Sequence, residues 1–83
     1  MKFIFTEPFQ KDYQRLPSHI QRVLDKALSF LSTDWQHHSL RTKKLSGTII
    51  WYARVTRAYR FTFQFEEDTI ILRRVGTHAI LNR

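Results

Sequence analysis

The chain has 83 residues, no cysteine, 42% hydrophobic and 14% aromatic side chains, and a formal net charge of +7. That length predicts a single domain with a small core, and the composition is that of a folding rather than a disordered chain. The lack of cysteine excludes a disulfide framework and a thiolate metal site. The N-terminus has too short an apolar stretch for a signal peptide and nothing approaches a membrane span, so a cytoplasmic location is expected.

Lys2 to Phe5 alternates polar and apolar residues and reads as a first strand. Thr6-Glu7-Pro8 then supplies a hydroxyl cap, an early acid and an early proline, the marks of a helix start. Pro17 ends that helix after Leu16. Ser18 and Gln21 have the spacing of a capping box for a second helix. Within it Ile20, Val23, Leu24, Ala27, Leu28 and Leu31 form an apolar stripe, and Ser32-Thr33-Asp34 closes it.

Beyond this point the period falls from roughly 3.6 to 2, the change from helix to strand. A loop or short strand is expected from Trp35 to Ser46, with Gly47 as a turn. Ile49, Trp51, Ala53 and Val55 then alternate with Ile50, Tyr52, Arg54 and Thr56, which predicts a strand. Arg57-Ala58 makes a compact turn into a second strand, where Tyr59, Phe61, Phe63 and Phe65 alternate with Arg60, Thr62 and Gln64. Glu66-Glu67-Asp68 is an acidic turn, Thr69 to Val75 a further strand, and Gly76 is expected to break it. The order of elements predicts an α+β fold, a short strand and two helices followed by an antiparallel sheet of about four strands, with the helices on one face.

Charge is unevenly spread along this plan. Residues 1–34 carry five basic and four acidic side chains, and residues 66–83 carry three of each. Residues 35–65 hold Arg41, Lys43, Lys44, Arg54, Arg57 and Arg60 without any acid. A segment like this favours a polyanion, either nucleic acid or an acidic protein, over a merely solvated face. The alternation on the central strands turns the aromatics inward and Arg60 outward, with Arg54 on the neighbouring strand. If both arginines share the open face, like charges stand together at a cost in stability, which suits a phosphate-binding surface better than a structural role. The blander alternative is two unrelated arginines in solvent. The other basic residues of the segment, with Arg73, are candidate RNA or phosphate contacts. Arg73 and Arg74 point to opposite faces, so at most one of them joins the basic surface.

Four histidines add titratable groups. His19 falls in the first turn of a helix and reads as a surface residue. His37 and His38 are adjacent on a loop without nearby carboxylates or cysteines, so no metal site is expected. Trp51 alternates with Ile49 and Val55, which assigns it to the core rather than to base stacking.

His38-Ser39-Leu40, Lys44-Leu45-Ser46-Gly47, Trp51-Tyr52-Ala53-Arg54-Val55-Thr56 and Tyr59-Arg60-Phe61-Thr62-Phe63 together resemble the RelE/ParE superfamily. The closing Val75-Gly76-Thr77-His78-Ala79 is similar to the last strand of its YafQ-type mRNA interferases, and the resemblance spans nearly the whole chain. It implies a microbial-RNase-like fold and the toxin half of a type II toxin–antitoxin pair. The activity implied is metal-independent, ribosome-associated cleavage of mRNA, in which a ribose 2′-hydroxyl attacks the adjacent phosphate and leaves a 2′,3′-cyclic phosphate. By the same resemblance His38 stands where members carry the general base, and Arg60 is the arginine of the middle-strand pair. Arg54 takes the basic position of the preceding strand, and His78 falls on the C-terminal acid or phosphate ligand. Implied partners are a cognate acidic antitoxin, the ribosome and mRNA, with room for a higher-order toxin–antitoxin assembly; no cofactor and no membrane are implied. The chain departs from the family pattern in having no tyrosine beyond Tyr59 and no paired lysines on the 49–56 strand. Two other readings stay open, a ParE-like inhibitor of DNA gyrase without nuclease residues and a non-catalytic basic domain that binds RNA or an acidic partner.

Overall fold

The computed structural model describes residues 1–81. In chain order it holds strand β1 (Lys2–Phe5), helix α1 (Glu7–Arg15), helix α2 (Ser18–Thr33) and a 3₁₀ turn at His38–Leu40. Strands β2 (Lys43–Lys44), β3 (Trp51–Arg54), β4 (Tyr59–Glu66) and β5 (Thr69–Thr77) follow, and a second 3₁₀ turn spans His78–Leu81. The strands form one five-stranded sheet in the order β1-β5-β4-β3-β2. The α+β class agrees with the expectation from sequence. The sheet, however, is mixed: β2 to β5 are antiparallel neighbours, while β1 lies parallel to β5. The α1–α2 pair provides the crossover that a parallel pairing needs.

Local chemistry explains most boundaries. The Thr6 hydroxyl accepts the Phe9 N–H at 3.4 Å and donates to the Leu72 carbonyl at 2.7 Å, so one side chain both caps α1 and ties it to β5. The expected capping box of α2 does not form. Pro17 occupies the cap position with no side-chain bond, and Gln21 instead donates to the Tyr13 carbonyl at 2.7 Å, joining the two helices. A carbonyl of the preceding helix thus holds the side chain that a capping box would have used to accept the cap N–H.

The core lies between the helices and one sheet face. Phe9, Leu24 and Leu31 from the helices meet Phe61, Phe63, Ile70, Leu72 and Val75 from the strands, all buried. Each such side chain is worth about 1.5–3 kcal/mol in removed apolar surface. Val23 departs from the predicted stripe and is 39% exposed. Trp51 packs as expected, edge-on to Trp35 and Phe65 at the rim of the core.

Strand β3 is shorter than the alternation predicts. The chain joins the ladder only at Trp51, leaving Ile49 64% exposed and Ile50 buried. Ahead of it Leu45 N–H bonds to the Ile50 carbonyl at 2.8 Å, and Gly47 takes the left-handed conformation (φ 75°) that the turn requires. Gly76 does not break β5, which runs on to Thr77. Its lack of a side chain matters differently: a Cβ there would stand 3.0 Å from the Ile80 side chain, so the glycine lets the C-terminal turn fold back closely onto the strand.

Candidate nucleic-acid interface

With the helices on one sheet face, the other face of β3 and β4 is left for function. Ala53 and Phe61 form a ladder pair that faces the core, so the next pair along, Arg54 and Arg60, faces away from it. The two guanidinium-bearing residues are therefore direct cross-strand neighbours, as the alternation suggested. The preceding outward pair is Tyr52 and Thr62, and Lys43 of β2 pairs with Tyr52. Lys44 pairs with Trp51, so the register separates the two lysines onto opposite faces and leaves only Lys43 beside the arginines.

No acid neutralises this group. Among the described residues the only ion pair is Arg74–Asp12, at 2.6 Å, across the far side of β5. Burial first, and then the Arg54 charge, hold the Arg60 guanidinium below its usual pKa, with a smaller like-charge push from Arg41 and an opposing pull from Tyr52. The protein stabilises this crowded cation with carbonyl dipoles instead of a carboxylate. Arg60 Nη1 donates to the carbonyls of Thr56, Arg57 and Tyr59, which turns the head of the side chain toward the β3–β4 turn. Arg57 itself lies exposed in that turn.

The two candidate histidines sit on 3₁₀ turns that pack beside these strands. His38 is exposed and opens the first 3₁₀ turn, which ends at Arg41. Arg41 adopts a left-handed backbone (φ 49°), its N–H bonding to the His38 carbonyl at 3.3 Å, and its charge is among those felt by Arg60. His78, also exposed, opens the second 3₁₀ turn, and that turn is pressed against Gly76, the ladder partner of Arg60. The first turn thus packs on β3, the strand of Arg54, and the second on β4 and β5, the strand of Arg60 and its neighbour. His19 is exposed on α2, as expected.

His37 has a different position from its neighbour. Its Nδ1 accepts the Ser39 N–H at 3.2 Å and lies 2.7 Å from the Ser39 hydroxyl, making it the cap of the turn. Its ring stacks on Phe30 at 4.2 Å and under His38 at 4.7 Å, so it is sandwiched between them. Such use of the acceptor nitrogen holds the ring for structure rather than for proton transfer. Among the described residues no group of three His, Asp or Glu side chains could hold a metal ion.

Arg73 and Arg74 do not separate as the alternation predicts: both are exposed between buried Leu72 and Val75, and both line one hollow beside Thr62. A register shift between Thr62 and Phe63 makes Arg73 the extra residue opposite β4, where it donates to the Gln64 side chain at 2.6 Å. Arg74 is taken by Asp12, whose carboxylate also accepts the Val75 N–H. That hydrogen bond and the Asp12 charge raise the Arg74 pKa. Both arginines line a hollow with Leu45, Ile50 and Ile80, and among the described residues Arg73 is the one of the two without an acid partner.

The same fold recurs in solved structures. The chain matches the RelB–RelE antitoxin–toxin complex of Methanococcus jannaschii with a TM-score of 0.78 at 25% identity, covering 94% of this chain and 93% of that one. The chain has the fold of the RelE/ParE toxin superfamily. It also matches a YoeB/ParE toxin from Agrobacterium tumefaciens, with a TM-score of 0.80, 18% identity and coverage of 94% and 99%. The Escherichia coli YafQ structure matches with a TM-score of 0.79 at 15% identity, covering 99% of this chain and 98% of that one. No protein-family model and no curated protein sequence matches the chain. The open face also carries residues that the sequence reading did not single out. Tyr52 is one such outward residue: the alternation placed it beside Arg54, but only the β2 and β4 pairings put it among the cations.

Proposed function

We propose that this protein is the toxin of a type II toxin–antitoxin pair and that it cleaves mRNA on the ribosome. The observation that carries the reading is the Arg54–Arg60 cross-strand pair, unneutralised on the open sheet face, with the turns that bear His38 and His78 packed on its strands. A phosphorane developing negative charge is the ligand that such a pair stabilises best. His38 accepts the proton of the ribose 2′-hydroxyl, the freed oxygen attacks the adjacent phosphorus, and Arg54 and Arg60 take up the added charge. His78 contacts the phosphate from the other side. The products are a 2′,3′-cyclic phosphate and a free 5′-hydroxyl, and no metal takes part. Arg41, Lys43, Arg57 and Arg73 guide the flanking phosphates, with Lys44 reaching the strand from the sheet edge.

Similar solved structures include the RelB–RelE, YoeB–YefM and DinJ–YafQ antitoxin–toxin complexes. In keeping with them, the partner proposed here is a small acidic antitoxin whose segment covers the basic face in the cytoplasm, with further assembly of the pair. Induction in cells followed by mapping of mRNA 5′ ends tests the proposal. New ends within translated frames are expected, and they should vanish with His38→Ala. Intact mRNA together with altered plasmid supercoiling would instead mark a gyrase inhibitor.

A further inference from the structure

The reaction above lacks one group, an acid for the departing 5′-oxygen. Tyr52 lies where such a group is needed. Trp51 and Ala53 on either side of it turn toward the core, so its side chain shares the open face with Arg54. It is flanked by Lys43 on β2 and Thr62 on β4, and Arg60 is its diagonal neighbour, close enough for the phenol to act on the guanidinium. It is half-buried, yet its hydroxyl bonds to no other described residue, whereas the Tyr13 hydroxyl is bonded to Asp25 at 3.0 Å. Phenols in such settings ordinarily find a partner. The open position beside this one faces the surface where substrate would lie.

We propose that Tyr52 is the proton donor to the leaving 5′-oxygen; this rests on the nuclease reading of the same site. As the P–O5′ bond breaks, its electron pair goes to O5′ and the phenolic proton follows it. The phenolate that remains is an anion among Lys43, Arg54 and Arg60, and water returns its proton after product leaves. A neutral acid suits this cluster better than a cationic one. An imidazolium would have to be held as one more positive charge beside the arginines before it could donate, while the phenol adds none and its conjugate base is stabilised by those already there. Its place on a strand paired on both sides also fixes it relative to Arg54 and Arg60, as precise proton transfer requires.

The test is single-turnover cleavage on programmed ribosomes with two RNAs, one normal and one with sulfur replacing the bridging 5′-oxygen at the scissile link. A thiolate leaves without an acid, so the two substrates separate proton donation from every other role. Tyr52→Phe is expected to slow the normal RNA by about a hundredfold or more with KM unchanged. It is expected to cleave the sulfur RNA at the wild-type rate. His38→Ala, which affects the nucleophile, is expected to slow both. Equal slowing of both RNAs by Tyr52→Phe, or a rise in KM alone, overturns the proposal in favour of a stacking surface. Undiminished cleavage of the normal RNA by Tyr52→Phe also overturns it. Wild-type protein that cleaves neither RNA overturns the nuclease reading itself, and the acid assignment with it.

Discussion

The two faces of the central sheet strands follow opposite rules. On the helix-covered face of β4, Phe61 and Phe63 are fully buried and every neighbour is apolar. On the other face of the same strand, Arg60 stands against Arg54 with backbone carbonyls for company and no acid. The first face minimises its own free energy; the second carries an electrostatic cost that folding alone would have removed by one Glu. Residues a single position apart therefore answer to different requirements, and substitutions should separate them.

The largest effect expected is on the covered face. Phe63→Ala leaves a ring-sized cavity between α2 and the sheet and should cost about 3–5 kcal/mol, much of a small domain's stability. Chemical denaturation should show it as a fall in midpoint with loss of every activity together. Arg60→Ala makes the opposite case. Removing one preorganised donor of charge should raise the cleavage barrier by roughly 3 kcal/mol, about a hundredfold or more in rate. Its melting temperature should change little, because relief of the Arg54 repulsion offsets the lost carbonyl bonds. An Arg60→Ala protein that is fully active, or one that unfolds, would erase the contrast between the faces.

Lys43 and Lys44 sharpen the comparison with a smaller effect. Lys43→Ala should reduce by about one the slope of log RNA affinity against log salt, the signature of one lost phosphate contact. Lys44→Ala, on the opposite side of β2, should change that slope less. Equal slopes would mean that RNA wraps the sheet edge rather than lying on one face.

The smallest effect belongs to Tyr13, on the helices. Burial first, then the hydrogen bond to Asp25 and its charge, raise the Tyr13 pKa, so the folded state favours the protonated phenol. The stabilisation is present below the ordinary phenol range and is lost as pH rises through the raised value. Tyr13→Phe should flatten the alkaline limb of the stability profile with cleavage near neutrality unchanged.

Much of this was legible in one dimension. The switch of hydrophobic period after Asp34 located the boundary between helices and sheet, since a helix and a strand bury residues at different spacings. The same alternation put Arg60 opposite in direction to Phe61, and the absence of acids from residues 35–65 marked the basic face. The motifs around His38, Arg54, Arg60 and His78 pointed to the superfamily whose fold the chain shares. Where the reading failed, a local signal met a distant competitor. Ser18 and Gln21 spelled a capping box, but the Tyr13 carbonyl took the Gln21 amide. Gly76 looked like a strand breaker, and is instead the space into which Ile80 folds.

What the sequence determined by itself is the direction of side chains within regular stretches of strand or helix, because that depends only on backbone geometry and on which residues avoid water; at the start of β3 and at the β5 bulge it did not. What only the tertiary structure decided is which strands lie next to each other and in what register. Pairing β3 with β4 so that Arg54 meets Arg60, and β2 with β3 so that Lys43 and not Lys44 joins Tyr52, depends on loop lengths and on the core closing as a whole. One residue of slip would send the same cations to opposite faces, and no periodicity within a single strand records that choice.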